Sequence, residues 1–370
     1  MSLAIATSTH YGSLHVLTEP AAVVSMVARR KLLAIDLFCG CGGLSLGLQQ
    51  AGFSVVAAID LDPLATETYA KNHPDTKLFR GDIKKMKPTK IMKELGLRPG
   101  ELDLLAGCPP CQGFSTLRTY NGGRVVEDPL NDLVFDFLRF VRVLKPRAIM
   151  MENVPGLYDD PRLKTFGEAL RKLKYDFSAA VLNAEDFGVP QRRRRMILLA
   201  SRDGKVTFAQ PLRRKRTVRG TIAKLPPPGK SGDALHDYQP QHSTKVLELI
   251  AKIPKNGGSR TDLPQEDQLE CHKKCDGFAD IYGRMAWGQT APTITGGCIN
   301  PSKGRFLHPD QNRAITLREA ALLQGFPATY GFSLARGRYP AAQMIGNAFP
   351  PAFARRHAKQ LKALLKQREA

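Results

Sequence analysis

The sequence predicts an α/β protein built on a doubly wound, mostly parallel sheet, together with a smaller and irregular second domain. Residues 30–36 form a short apolar strand, and a glycine-rich turn at residues 40–43 connects this strand to a helix. Residues 54–60 form a second strand that ends in Asp60, about 20 residues beyond the turn, where such sheets bind the hydroxyls of a ribose. The order of strand, glycine turn, helix and strand therefore predicts a site for a nucleoside-containing cofactor.

Two further predicted strands carry carboxylates at their ends. Residues 77–83 include Asp82, which is placed either to bond the amino group of an adenine or to cap the following helix. Residues 146–154 form another strand, more apolar than the one at residues 77–83, with Glu152 near its end. Ligands of open parallel sheets bind at the carboxyl ends of the strands, so we expect these carboxylates to face one site.

The strand predicted at residues 102–106 leads into a stiff turn that contains two prolines and reaches Cys111. Proline restrains its own backbone and that of the residue before it. We therefore expect Cys111 to be held just beyond the C-terminal end of the strand, where its thiol can reach a substrate. Three alternative roles stay open for this cysteine. It could be a buried apolar side chain, a redox partner of Cys108, or part of a zinc site completed by Cys271 and Cys275.

Four consecutive arginines, residues 192–195, lead into the apolar strand at residues 196–200. Alternation along a strand sends Arg193 and Arg195 to one face and the other two arginines to the opposite face. One pair can therefore face a substrate, and the alternative is a solvated charge cluster.

Composition limits the classes of partner. The chain has 370 residues and a formal net charge of +21, with 55 Lys and Arg against 34 Asp and Glu. This excess of positive charge favours nucleic acid as the partner, with an acidic membrane surface as the second possibility. No apolar run approaches the roughly 20 residues that cross a bilayer, and 7 scattered cysteines fit reduced thiols. We therefore expect a cytoplasmic protein that is not attached to a membrane.

Six motifs in order closely resemble those of the DNA cytosine-5 methyltransferases, in the unpermuted order of the bacterial and phage enzymes. The resemblance covers the chain from about Leu32 to the C-terminus. The motifs are Asp36-Leu-Phe-Cys-Gly-Cys-Gly-Gly43, Pro110-Cys-Gln112, Glu152-Asn-Val154, Gln191-Arg-Arg-Arg-Arg195, Arg318-Glu-Ala320 with Gln324-Gly-Phe-Pro327, and Gly346-Asn-Ala348. The resemblance implies an adenosylmethionine-dependent methyltransferase fold with a smaller target-recognition domain.

The resemblance also assigns catalytic roles. It implies that the Cys111 thiolate adds to carbon 6 of a cytosine that has been flipped out of duplex DNA, and that carbon 5 then receives a methyl group. By the same resemblance Glu152 holds ring nitrogen 3 and the exocyclic amine, Arg195 contacts the carbonyl oxygen of the base, and Arg193 orients the thiol and a phosphate.

The implied cofactor is S-adenosyl-L-methionine, stacked on Phe38 and bonded by Asp60 at its ribose and by Asp82 at its adenine. The remaining residues expected around this cofactor are Gly40, Gly42, Gly43, Leu61, Ile83, Pro110, Leu133 and Asn347. Leu61 departs from the family, in which a bulky or aromatic residue is frequent at that position. No metal site is expected.

The resemblance, together with the charge of the chain, extends these assignments to DNA. We expect Gln112 and Ser115 to lie beside the flipped nucleotide, and residues 116–130 to form a mobile closing loop. The arginines Arg213, Arg214 and Arg216 are expected to contact the DNA backbone, because consecutive cations suit a line of phosphates.

Four segments are predicted along the chain. They are an N-terminal tail (1–29), a catalytic and cofactor-binding domain (30–203), a small domain with target recognition (204–338, with its variable part at about 204–290) and a C-terminal segment that returns to the catalytic domain (339–370). The expected partner is duplex DNA in the nucleoid, bound by a monomer. The resemblance admits a cognate restriction endonuclease that is not physically bound.

Three other functions remain open from the sequence. The first is an RNA cytosine-5 methyltransferase on the same scaffold, and the second is a catalytically idle DNA-binding protein. The third is a nicotinamide-dependent oxidoreductase, which would explain the glycine turn but not the Pro110-Cys-Gln112 motif.

Overall fold

The computed structural model describes residues 30–110, 132–238, 242–270 and 280–367. The predicted tail, Cys111, Gln112, Ser115, the loop at 116–130 and the pair Cys271 and Cys275 lie outside these residues. The described residues from Lys31 onward belong to one compact unit. The division at residues 203 and 338 into separate domains stays a prediction.

Seven strands form a single sheet in the order β3-β2-β1-β4-β5-β7-β6. The strands are β1 (Leu32–Leu37), β2 (Phe53–Asp60), β3 (Lys77–Arg80), β4 (Leu104–Gly107), β5 (Ala148–Asn153), β6 (Asp176–Asn183) and β7 (Arg194–Ser201). Strands β1 to β5 pair with one another in parallel, whereas β7 runs antiparallel to both β5 and β6. The predicted α/β fold with a mostly parallel sheet is confirmed.

Helices cover both faces of the sheet and continue into the C-terminal third. They are α1 (Gly43–Ala51), α2 (Pro63–Asn72), α3 (Pro88–Glu94), α4 (Leu133–Leu144), α5 (Pro161–Lys172), α6 (Arg219–Ile222), α7 (Thr244–Lys252), α8 (Leu317–Gln324), α9 (Arg338–Asn347) and α10 (Pro351–Gln367). No helix among the described residues is long and apolar enough to cross a membrane.

The two faces of the sheet bury separate apolar cores, and β5 shows how the strands serve both. Ile149 and Met151 belong to the core that includes Phe137 of α4, while Ala148 and Met150 belong to the core that includes residues of α1 and α10. Successive side chains of a strand point to opposite faces, so a strand covered on both sides is apolar throughout. Polar groups are therefore concentrated at the ends of these strands.

A buried arginine organises the part of the chain around α7. Arg284 is fully buried, and its guanidinium donates hydrogen bonds to the carbonyl oxygens of Ile250 and Ile253 at the end of α7. It also donates to the carbonyls of His308 and Gln311 and to the side-chain oxygen of Asn312. One side chain thus donates hydrogen bonds to five acceptor oxygens that regular secondary structure does not satisfy.

We predict that Arg284→Met lowers the free energy of unfolding by about 3 kcal/mol or more, because several buried acceptors would lose their donor. Urea unfolding followed by the fluorescence of Trp287, the only tryptophan in the sequence, measures this change. Arg142→Met, at an exposed position of α4, is the control and should change the unfolding free energy by less than about 0.5 kcal/mol. Equal effects of the two substitutions would contradict the prediction.

Candidate functional site

A cavity of about 910 Å³ lies at the carboxyl ends of the parallel strands. One wall is formed by residues that follow β1, β2, β3, β4 and β5, and the facing wall by residues 293–296, α9 and the segment after it. The sequence-predicted residues that line it are Phe38, Gly40, Gly43, Asp60, Leu61, Asp82, Ile83, Pro110, Leu133, Glu152, Arg193, Arg195 and Asn347. Residues distant in sequence thus meet at the edge where parallel sheets bind ligands.

The glycine turn fixes the backbone beside Asp60. Phe38 adopts a left-handed conformation with φ of 61°, and a Cβ added at Gly40 would meet no atom within 4 Å. The Asp60 carboxylate accepts hydrogen bonds from the backbone N–H of Gly40 at 2.7 Å and of Asp62 at 2.9 Å. Burial raises the pKa of Asp60. Each carboxylate oxygen has a further lone pair, so Asp60 can still accept a hydroxyl of a ligand.

The other two predicted glycines are required by close packing. A Cβ at Gly43 would lie 2.3 Å from the carbonyl oxygen of Phe349, although Gly43 also lines the cavity. Gly42 has φ of 96° and faces His73 and Tyr330, and it is not among the lining residues. The motif predicted all three glycines at the cofactor, whereas the structure places Gly42 against buried side chains behind the turn.

Asp82 takes the capping role that the sequence left open, and the adenine contact stays a prediction. Its side chain accepts a hydrogen bond of 2.9 Å from the backbone N–H of Lys84 and so caps the 3-10 helix Ile83–Lys85. The same residue lines the cavity. Leu61 lies at the mouth with 66% of its surface exposed, so an apolar face is available to a ligand there.

The catalytic residues predicted from the carboxylate and arginine motifs form one charged group. The Nε atom of Arg195 lies 2.9 Å from Oε1 of Glu152, and both side chains are largely buried. Arg193 is 3% exposed and donates from Nη1 to the carbonyl of Ile294 at 3.1 Å, while its Nε has no partner among the described residues. Burial, together with the charge of Arg195, lowers the pKa of Arg193 to about 9.

Strand alternation sorts the four arginines as predicted. Arg193 and Arg195 line the cavity, whereas Arg192 and Arg194 are exposed. The alternative interpretation, a solvated charge cluster, therefore applies only to Arg192 and Arg194.

The two prolines before Cys111 are held from the neighbouring strand. The Asn153 side chain donates a hydrogen bond of 3.0 Å to the carbonyl of Pro109. Cys108 lines the cavity, but burial raises the pKa of its thiol well above the usual value, and the Glu152 and Asp36 carboxylates add to this effect. A thiol that stays protonated is a poor nucleophile, so Cys108 is unsuited to covalent chemistry.

A buried network of glutamine amides joins the two cavity walls. Gln191 donates to the carbonyl of Leu323 at 3.2 Å and to the side-chain oxygen of Gln324, and its own oxygen accepts the N–H of Ile294 at 2.8 Å. Gln324 in turn donates to the carbonyl of Ala348 at 2.6 Å. Both glutamines are fully buried. Both glutamines belong to the sequence motifs, but the motifs alone predict no structural role for them. The one sequence signal that could have predicted such a role is the position of a glutamine next to an apolar run.

The predicted DNA-binding arginines are exposed on one stretch of chain. Arg213, Arg214 and Arg216 are exposed and have no ion pair among the described residues. Lys215, between them, lies 2.9 Å from Glu185 and 3.3 Å from Asp186. This lysine fixes the stretch to the body of the protein and leaves the three arginines available to meet an anion.

Among the described residues, no group of three or more His, Cys, Asp or Glu side chains is arranged to hold a metal ion.

Comparison with known proteins gives a consistent result. A family model described as C-5 cytosine-specific DNA methylase matches residues 32–363. The chain is 37% identical over 349 residues to the Type II methylase M.HgiDII of Herpetosiphon aurantiacus, and the match covers 90% of this chain and 95% of that protein. It is 34% identical over 330 residues to the Type II methyltransferase M1.HphI of Haemophilus parahaemolyticus, covering 87% and 84% respectively.

Solved structures agree with this result. A DNA modification methyltransferase encoded within a prophage of E. coli has a TM-score of 0.66 and 26% identity, and the match covers 91% of this chain and 100% of that chain. The Entamoeba histolytica methyltransferase EhMeth, at 16% identity and a TM-score of 0.59, shares the fold, with 92% of this chain and 100% of that chain covered.

A buried carboxyl group lies beneath the glycine turn, at the end of β1. Asp36 is fully buried, and its Oδ2 accepts a hydrogen bond of 2.7 Å from Ser45, whose hydroxyl is 2.8 Å from that of Tyr69. Burial raises the pKa of Asp36 to about 7, although the Ser45 bond opposes the shift. The carboxyl is therefore protonated in the folded protein over a range in which it is ionised in the unfolded chain.

We predict that Asp36→Asn changes the pH dependence of stability. Between about pH 4 and pH 7 the wild-type protein releases the Asp36 proton on unfolding, so rising pH removes stability by up to about 1.4 kcal/mol per pH unit. The variant lacks this contribution and should gain stability relative to wild type as pH rises through the window. Urea unfolding of both proteins at several pH values measures the difference, and parallel curves would contradict the prediction.

Proposed function

The chain belongs to the C-5 cytosine-specific DNA methylase family, and we propose that it methylates cytosine through a covalent Cys111 adduct on a base flipped out of duplex DNA. The observation that carries this proposal is the arrangement of the cavity. The Glu152–Arg195 pair, the buried Arg193 and the proline turn that leads to Cys111 all face the space that the cofactor residues line.

The cavity fits S-adenosyl-L-methionine beside a base. Its volume of about 910 Å³ is near the upper end of the roughly 300–1,000 Å³ found for ligand sites. The acceptor capacity of Asp60 and the open space above Gly40 support a contact with ribose hydroxyls. Asp82 and Phe38 line the same cavity, which supports the proposed contacts of Asp82 with the adenine and of Phe38 with the cofactor. When bound, this cofactor supplies an electrophilic methyl group on its sulfonium sulfur.

The protein must make carbon 5 of cytosine a nucleophile. In the proposed reaction the Cys111 thiolate forms a bond to carbon 6, and the electron pair of the 5,6 double bond becomes available at carbon 5 for the methyl group. Loss of the carbon 5 proton and departure of the thiolate then restore the ring. Glu152 holds ring nitrogen 3 and the exocyclic amine, where a carboxyl proton stabilises the adduct.

The two buried arginines orient this chemistry. Arg195 bonds Glu152 through Nε and so fixes the carboxyl, and its Nη1 donates to the carbonyl of Arg194 at 2.7 Å. We assign its other N–H groups to the carbonyl oxygen of the base. Arg193 has an unpartnered Nε in a largely buried position, which suits it to a phosphate oxygen or to the thiolate. A cytosine inside a duplex is out of reach of these groups, so we propose that the base is flipped into the cavity.

We further propose that Gln112 and Ser115 contact the nucleotide, and that Arg213, Arg214 and Arg216 contact the DNA backbone. The exposure of these arginines, beside the anchored Lys215, supports duplex DNA as the substrate. The Type II class of the relatives supports a cognate endonuclease as a functional partner that is not physically bound. We also propose that this chain acts as a monomer on the nucleoid.

The first test concerns the nucleophile. Cys111→Ala should abolish methyl transfer and leave the Kd for S-adenosylmethionine unchanged within about twofold, because the thiol forms the adduct but little of the cofactor site. Duplex DNA containing 5-fluorocytosine should form a stable complex with the wild-type protein only, since fluorine blocks the final elimination. Cys108→Ala is the control and should retain activity. Activity in Cys111→Ala, or its loss in Cys108→Ala alone, would refute the assignment.

The second test concerns the general acid. Glu152→Gln should lower kcat by about a hundred- to ten-thousand-fold, the usual contribution of such groups, while the Kd for duplex DNA changes little because phosphate contacts dominate it. Glu319→Gln is a matched control, since Glu319 is also buried and paired with an arginine, Arg313, at 2.7 Å. A loss of DNA affinity as large as the loss of kcat would make Glu152 a structural residue.

The third test concerns the exposed arginines. Replacing Arg213, Arg214 and Arg216 together with glutamine should weaken cognate and non-cognate duplex alike, and should flatten the log-log salt dependence of binding by about 0.9 per lost contact. Turnover at saturating DNA should be retained. The control replaces Arg355, Lys359 and Lys366, exposed on α10, and removes the same charge. Loss confined to the cognate sequence would show that these arginines read bases.

A further inference from the structure

A chain of hydrogen bonds that is buried at His73 and Tyr330 packs against the glycine turn, and its side chains do not line the cavity. The side-chain amide of Gln49 is 3.0 Å from Nδ1 of His73, and Nε2 of His73 is 2.9 Å from the hydroxyl of Tyr330. That hydroxyl lies 2.5 Å from the carbonyl oxygen of Cys41, within the turn. His73 and Tyr330 are buried, with 2% and 4% of their surfaces exposed.

Chemistry fixes the direction of each bond. A carbonyl oxygen only accepts, so Tyr330 donates to Cys41, and the tyrosine oxygen then accepts the proton on Nε2 of His73. Burial lowers the pKa of His73 to about 4, so the ring is neutral near pH 7 and its Nδ1 is an acceptor. The Gln49 atom recorded at 3.0 Å from Nδ1 is Oε1; an oxygen cannot donate to this acceptor, so the network assigns the amide nitrogen to that position, with the Gln49 amide turned by 180°.

The tyrosine is itself held in place from several sides. The carbonyl of Tyr330 accepts a hydrogen bond of 2.9 Å from Arg318 of α8. The next residue, Gly331, exchanges two hydrogen bonds with the Asn72 side chain, at 2.9 and 3.1 Å. Tyr330 is thus a fixed support that contacts the turn from the C-terminal part of the chain.

The turn fits closely against this support. A Cβ added at Gly42 would lie 2.4 Å from Nε2 of His73 and 2.6 Å from the hydroxyl of Tyr330. On its other side the turn exposes Gly40, Cys41 and Gly43 to the cavity. A change in the position of the Cys41 carbonyl would therefore move the surface that the cofactor meets.

We propose that Tyr330, oriented by His73, is a positioning residue for S-adenosylmethionine and acts by holding the Cys41 carbonyl and so the glycine turn. Tyr330 does not line the cavity, so its effect is transmitted through the turn. The inference rests on the proposed cofactor site. It adds that part of the affinity for the cofactor comes from a side chain 289 positions beyond Cys41 in the sequence.

The test is Tyr330→Phe, which keeps the ring and removes the hydroxyl. Without that donor the buried carbonyl of Cys41 is unsatisfied, and we expect the Kd for S-adenosylmethionine, measured by calorimetry, to rise about tenfold. KM for the cofactor should rise in parallel, while kcat at saturating cofactor and the Kd for duplex DNA stay within about twofold.

Tyr175→Phe is the matched control. Tyr175 is also 4% exposed, and its hydroxyl also donates to a backbone carbonyl at 2.5 Å, that of Pro146, but it does not line the cavity or contact the turn. It should lose a comparable amount of stability and keep the wild-type Kd for the cofactor. His73→Phe is the second variant and should raise the Kd by about threefold, because it removes the bond that orients Tyr330 but leaves the Tyr330 hydroxyl able to donate to Cys41.

An unchanged Kd in both folded variants, Tyr330→Phe and His73→Phe, would overturn the inference. An equal rise of the Kd in Tyr175→Phe would also overturn the inference, because it would show that the Kd for the cofactor follows the overall stability of the protein. If wild-type protein fails to bind S-adenosylmethionine, the proposed function itself is wrong, and this outcome is separate from a failure of the variants.

Discussion

Parallel pairing of β1, β2, β4 and β5 is the constraint on which the rest of the structure depends. These strands are largely apolar on both faces because helices cover both, so a polar side chain within them needs a buried partner, as Asp36 has in Ser45. Functional groups are therefore placed where the strands end, and parallel pairing brings those ends to one edge. Asp60, Glu152 and the turn that leads to Cys111 meet there for this reason.

The facing wall of the cavity has no such sheet and depends on buried polar side chains instead. Gln191 and Gln324 connect the arginine strand to residues 294 and 348 by satisfying backbone groups that have no regular partner. Around α7, Arg284 likewise donates hydrogen bonds to four backbone carbonyls and to the side-chain oxygen of Asn312. Irregular backbone is stable in a protein interior only when its polar groups are paired, so these side chains replace the ladders of a sheet.

The electrostatic design of the cavity follows from two arginines and one carboxylate. Glu152 compensates Arg195, while Arg193 keeps a charge that the surrounding protein leaves partly unsatisfied. A buried cation with a free N–H is costly unless an anion pairs with it, so this position favours an anionic ligand. The exposed arginines outside the cavity add a weaker, longer-range attraction that salt screens.

The sequence by itself determined the order of strands and helices in the first half, the cavity edge and most of the predicted residues that line it. Those features follow from local rules: apolar runs, glycine turns, and the alternation that turned Arg193 and Arg195 inward. Tertiary structure alone decided that Gly42 faces His73 and Tyr330 rather than the cavity, that Asp82 caps a helix as well as lining the site, and that Gln191, Gln324 and Arg284 hold irregular segments together. Most of these contacts join residues tens to hundreds of positions apart, and no local pattern encodes which buried polar group satisfies which backbone atom.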